Sequence, residues 1–173
     1  MNTLQLFPAS AGALAQTILG AGSDTVTAVQ TNDGGTSYVY VGALSGDRSS
    51  SFFVDGNGLP PHVQITSLTI NCYCALDNGV PVVAPNVNCG VRISSTNYLI
   101  NMDQDVSGET YTLYSFGLAA NPNTAAAWTK YDLDNLELLL QLNGGTGTAQ
   151  LRCTQIYVDV EYEPTTDALL FGS

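Results

Sequence analysis

Between Asp24 and Tyr162, β-branched, aromatic and other apolar residues recur at every second position in short runs, the period of a strand with one buried face. The runs predict strands over residues 25–30, 37–41, 50–54, 63–76, 89–94, 98–102, 111–118, 136–142 and 151–162. Clusters of Gly, Asn and Asp at 32–35, 55–58, 77–79 and 143–145 separate them, and these residues tolerate the positive φ of tight turns. Pro81 and Pro85 cannot donate to a ladder, so residues 80–88 read as a long crossover.

Two long runs change phase. Val63 and Ile65 share one parity, whereas Leu68, Ile70, Cys72 and Cys74 share the other; Leu151 and Cys153 give way in the same manner to Ile156, Val158, Val160 and Tyr162. One extra residue reverses every later side chain, so bulges are expected near Thr66-Ser67 and Thr154-Gln155. One helical turn is expected at residues 128–135, with Thr129 as its cap and Asp132 at the third position. Together these elements predict an all-β fold, an antiparallel jelly-roll-like sandwich of eight or nine strands spanning residues 24–163.

The two ends have a different texture. Residues 1–23 carry no charged side chain and are diluted by Gly and Ala, so they are expected as an apolar N-terminal arm. Residues 164–173 follow as a C-terminal tail. Leu4, Leu6, Phe7, Ile18 and Leu19 in the arm, with Leu169, Leu170 and Phe171 in the tail, are candidate partner-docking residues, since exposed apolar segments gain by covering a surface. Ala13-Leu14-Ala15 mimics a signal-peptidase site, but no Lys or Arg precedes it, so a signal peptide is not expected.

Composition narrows the chemistry. The 173 residues hold four Lys and Arg against fifteen Asp and Glu, a formal charge of −11, which argues against nucleic acid and anionic membrane surfaces as partners. No apolar run has the length of a membrane span. The single histidine, His62, removes most catalytic triads and zinc sites, and the chain is read as a non-enzyme without cofactor or metal. Cys72, Cys74, Cys89 and Cys153 form no CxxC motif; they can pair or ligate metal, but Cys72, Cys74 and Cys153 lie in phase with apolar neighbours and read as buried, reduced thiols.

Four segments occur in order: NDGGTSYV from Asn32, NPNTAAAWT from Asn121, DLDNLE from Asp132 and RCTQIYVDVEY from Arg152. In this series the chain resembles a β-sandwich type of tailed-bacteriophage virion proteins. That resemblance implies a structural protein of the capsid surface, made in the host cytoplasm, that decorates or cements the head, or else a tail accessory domain. Its implied partner is the major capsid protein or another virion protein, with the chain a dimer or trimer. No catalytic residue comes with it.

Other constellations suggest other chemistry. Asp103 with Asp105, or Asp132, Asp134 and Glu137, are hard oxygen ligands suited to calcium, though neither group matches an EF-hand loop; they equally suit turns and a helix start. Trp128 and Tyr131 are candidates for stacking on a sugar ring, which would make the chain a carbohydrate-binding module on a virion appendage. Trp128 equally suits the end of a sandwich core.

Overall fold

The computed structural model describes residues 1–42, 46–77 and 81–165. Nearly all of the regular structure is strand, laid out as two antiparallel sheets packed face to face. No helix among the described residues is long and apolar enough to cross a membrane.

The first sheet is organised by its two longest strands, β6 (Val63–Leu76) and β13 (Leu151–Pro164), which pair along their whole length. Strand β10 (Thr112–Leu118) adds to the free side of β6. The other side of β13 carries two strands in series: β4 (Tyr38–Val41) against residues 151–153 and β1 (Asn2–Leu6) against residues 158–162. Strand β3 (Ile18–Ala21) closes this sheet beside β4.

The second sheet runs β2 (Pro8–Ala15), β5 (Asp47–Val54), β11 (Glu137–Asn143), β8 (Asn86–Ile93) and β9 (Thr96–Asp105). The expected crossover at residues 80–88 is partly strand: β7 (Pro81–Val83) pairs with β12 (Thr146–Gly147) as a small separate sheet, and residues 86–88 already belong to β8, whose ladder Pro85 precedes. Between the sheets the inward side chains interdigitate: Leu68, Ile70, Ile156, Val158 and Val160 from one, Leu138, Leu140, Leu142, Val87 and Val91 from the other, all buried. All-or-none burial of this alternating set is what fixes the register.

Both expected bulges are present. The β6–β13 register shifts between Cys153 and Gln155, setting aside Thr154, and again where Ile65 and Ser67 face Tyr162 and Glu161, setting aside Thr66. The bulged Thr154 is fully buried, and its hydroxyl lies within hydrogen-bond distance of the Thr31 and Ser37 carbonyls and the Asp33 carboxylate. The extra residue thus bends the strand and ties the 31–37 loop to it.

Two expectations need correction. Residues 25–30 form no strand; Thr27–Val29 is a 3₁₀ turn. Asp24 accepts from the Val26 and Thr27 amides, both at 2.9 Å, and from the Thr27 hydroxyl, and this local capping outweighs the β-propensity of Thr-Val-Thr-Ala-Val. Residues 1–23 are likewise no free arm, because β1, β2 and β3 belong to the two sheets. Leu6 is buried and Leu4 packs on the core, so these two candidates serve the fold and offer no docking surface. Leu169, Leu170 and Phe171 lie outside the described residues.

A cleft beside the helical turn

The helical turn forms as expected. Helix α1 (Lys130–Asp134) begins with a reciprocal capping box: the Asp132 amide donates to the Thr129 hydroxyl, and the Thr129 amide donates to the Asp132 carboxylate at 2.8 Å. This short connector places two aromatic residues in opposite environments. Trp128 is 3% exposed, and its indole N–H donates to the Leu118 carbonyl at 3.2 Å. Tyr131, three residues later, is 77% exposed. Trp128 is therefore a core plug and cannot stack on a ligand, a correction to its candidacy, whereas Tyr131 stands free.

Tyr131 borders a cleft of about 300 Å³ between α1 and the outer face of the second sheet. Phe53, Ile93, Ser94, Ser95, Asp132, Asn135 and Glu137 complete its lining. The floor follows from strand register. Glu137 opens the central strand β11 and has Phe53 of β5 on one side and Arg92 of β8 on the other. Their neighbours Leu138, Phe52 and Val91 point into the core, which turns Glu137, Phe53 and Arg92 outward.

An outward glutamate is normally solvated, yet Glu137 is 9% exposed. Its cover is the expected arm. The β2–β5 register breaks between Ala11 and Ala15, and the bulged chain approaches closely enough for the Ala13 amide to donate to Glu137 at 2.9 Å. The Ser51 hydroxyl donates to the same carboxylate oxygen at 2.5 Å and accepts from the Leu14 amide. Gly12 is needed at this crossing, since a Cβ there would strike the Glu137 carboxylate and Ser51. The other carboxylate oxygen lies 3.8 Å from Arg92 Nε, and Arg92 in turn donates to Asn97 at 2.6 Å. The floor is thus an ion pair fixed by backbone and hydroxyl donors.

The rim is built against local preference. Ser94 and Ser95 join β8 to β9 with φ of 48° and 72°, both left-handed. A two-residue hairpin turn of this kind favours Asn-Gly, and each serine held there carries strain of about 1–2 kcal/mol. Opposite them, the Asn135 side chain donates to the Tyr131 carbonyl at 2.9 Å, which fixes both residues on the far wall. The result pairs aromatic surface with hydroxyl, amide and carboxylate groups, a composition suited to an amphipathic ring.

The remaining candidates are dispersed. Phe7 is 39% exposed and its ring rests 5.6 Å from that of Tyr157 on the outside of the first sheet. Ile18 and Leu19, 50% and 36% exposed, lie on the edge strand β3. Asp134 pairs with Lys130 at 2.8 Å, and Asp103 accepts from the Asn88 side chain at 2.8 Å. Asp132 is committed to its cap. Among the described residues no group of three or more His, Cys, Asp or Glu side chains is placed to hold a metal ion.

Sequence reasoning singled out Tyr131, Asp132 and Glu137 but missed Phe53, Arg92, Ser94, Ser95 and Asn135. The signal for the serines was the pair of polar residues between two strand runs. It was obscured because Ser-Ser lacks the glycine that usually marks a tight hairpin.

No family model matches the sequence, and the search of curated proteins returned no match. Among solved structures, a family 16 carbohydrate-binding module aligns with 73% of this chain and 78% of its own, at 12% identity and a TM-score of 0.43. The enzymatically active domain of tailspike protein 4 from bacteriophage CBA120 aligns with 92% of this chain at 9% identity and a TM-score of 0.45; the match spans 19% of the tailspike chain. By its own architecture the chain is an all-β sandwich with two antiparallel sheets and a cleft at the end of one of them.

Proposed function

We propose that this chain is a sugar-binding module, and that one or two uncharged rings of a glycan lie in the cleft between Tyr131 and the Ser94-Ser95 turn. The observation that carries the reading is Tyr131 itself, 77% exposed above a cleft floored by Phe53 and Glu137. The Tyr131 ring lies outside the core on a rigid capped turn, beside a polar-lined cleft. It gives a binding surface two rotatable bonds and a flat apolar face. Asn135, Ser94 and Ser95 supply donors and acceptors for hydroxyls at the ring edge. Asp132 and Glu137 bias the cleft against acidic sugars, as does the formal charge of −11. A cleft of about 300 Å³ lies at the small end of ligand sites, so a Kd on the order of 0.1–1 mM for a short oligosaccharide is expected. Printed glycan arrays probed with the full chain should show binding to neutral glycans that Tyr131→Ala removes. Absence of binding across the array overturns the reading.

The second reading is a virion surface protein of a tailed phage that decorates or cements a capsid as a dimer or trimer, as the sequence resemblance implies. Phe7, Ile18 and Leu19 support it, being apolar and at least 36% exposed on an acidic body. Since β1 to β3 belong to the sheets, docking would proceed through these side chains on a rigid surface and not through an unfurled arm. Particle fractionation with copy-number measurement decides it: stoichiometric presence on heads, reduced by Ile18→Asp, favours decoration. The two readings are compatible, because the cleft and these apolar residues occupy different parts of the molecule.

A further inference from the structure

The four cysteines form one sulfur cluster in the core. Cys72 and Cys74 project from β6, Cys89 from β8 and Cys153 from β13, and all four are free thiols with no solvent exposure. The Cys89 sulfur approaches that of Cys72 to 3.6 Å, across the gap between the two sheets. Cys74 lies 3.8 Å from Cys72 along the same strand, and Cys153 stands opposite Cys74 in the ladder.

We infer that Cys72 and Cys89 are a latent inter-sheet disulfide, formed when the chain folds in the presence of a small-molecule disulfide such as oxidised glutathione. Of these two sulfur–sulfur approaches Cys72–Cys89 is the shorter, and it joins the two sheets. Residues two apart on one strand have Cα atoms about 6.6 Å apart, at the far end of the disulfide range, which disfavours Cys72–Cys74. Cys153 contacts the Cys74 thiol, but it also donates to the Gln155 carbonyl at 3.3 Å where the ladder breaks at Thr154, and that hydrogen bond would be lost on forming a Cys74–Cys153 bond. Cys72 and Cys89 have only to close from 3.6 Å to the ~2.05 Å of a bond by rotation of two small side chains.

The chemistry is thiol–disulfide exchange. Cys72, as thiolate, attacks one sulfur of the small disulfide and releases one small thiol, leaving a mixed disulfide on Cys72. Cys89 then attacks the Cys72 sulfur and releases the second small thiol. Two protein thiols are oxidised, one small disulfide is reduced to two thiols, and the protons end on those leaving groups. Complete burial protects the native thiols from reagents, so the exchange belongs to folding, before the sheets close. A virion component made in a reducing cytoplasm and released to an oxidising medium would retain thiols, and the same chain folded under oxidising conditions would be stapled. This inference does not depend on the sugar-binding reading.

The test is refolding of the full chain in glutathione buffers of opposite poise, followed by non-reducing peptide mapping and thermal melting. Under oxidising buffer, peptides containing Cys72 and Cys89 should be linked, Cys74 and Cys153 should alkylate after denaturation, and Tm should rise by about 10 °C over the reduced protein. Cys89→Ala should fold and melt near the reduced wild type in either buffer. Four alkylatable thiols after oxidative refolding, or a Cys74–Cys153 link instead, would overturn the assignment.

Discussion

Trp128 and Tyr131 stand three residues apart on one connector, one 3% and the other 77% exposed, and the regions they belong to follow opposite rules. Behind Trp128 lies the β6–β13 spine, where local preference, alternation and burial agree: Leu68, Ile70, Ile156, Val158 and Val160 are β-formers, in phase and fully buried. Around Tyr131 they disagree. Serines occupy two left-handed turn positions, a glutamate is buried on an outward face, and aromatic surface is open to water. Departures from local rules cost stability and often persist where something else is selected, so the contrast supports the proposal that a ligand binds at the cleft.

The contrast is sharpest under alanine. Trp128→Ala removes a buried indole and leaves the Leu118 carbonyl without its donor, so a loss of about 3–5 kcal/mol is expected by denaturant unfolding. Tyr131→Ala should leave stability within about 0.5 kcal/mol yet weaken glycan binding by at least about tenfold. Equal destabilisation by both would erase the distinction. Glu137→Ala tests the cleft floor: it removes the carboxylate beside Arg92 Nε and leaves the Ala13 amide without its acceptor, and a loss of about 1–3 kcal/mol is expected. Gly12→Ala should act in the same direction, which would show that the N-terminal strand holds the site together.

Relief of strain should have the reverse sign. Ser95→Gly is expected to raise stability by about 0.5 kcal/mol, because glycine carries no penalty at φ of 72° and loses only part of that gain to entropy. Glycan affinity should fall, since a hydroxyl is removed from the rim. The smallest effect concerns Asp33. Burial opposes ionisation there, but hydrogen bonds from Ser37, Thr154 and Gly35 prevail and hold its pKa below the usual aspartate value. A lowered folded pKa stabilises above the unfolded value near ~3.9 and is lost as pH falls through the folded one. Urea midpoints at pH 6 and pH 3 should therefore converge between wild type and Asp33→Asn on acidification.

The spine was legible because long alternation leaves only one register, and even its phase errors pointed to Thr66 and Thr154, where the bulges lie. Residues 1–23 were not legible as strands. PASAGALA in β2 offers small residues of low β-propensity, and its two register breaks destroy any alternation. The lack of charge over residues 1–23, read as a mark of docking, reflects contact with the body, where the Ala13, Leu14 and Thr17 amides bond to Glu137, Ser51 and Ser50. In the cleft, Tyr131 could be singled out by type, but its separation from Trp128 into solvent depends on the capped turn. Phe53 and Arg92 flank Glu137 only through pairing of strands distant in sequence.

The most direct test of the cleft's role is an amide-resolved NMR titration of the full chain with neutral oligosaccharides selected on the array, repeated with Tyr131→Ala. Saturable shifts confined to Phe53, Ser94, Ser95, Tyr131 and Asn135, and absent in the variant, are the predicted result. Saturable shifts that instead map to Phe7, Ile18 and Leu19, or that persist unchanged in Tyr131→Ala, would contradict it.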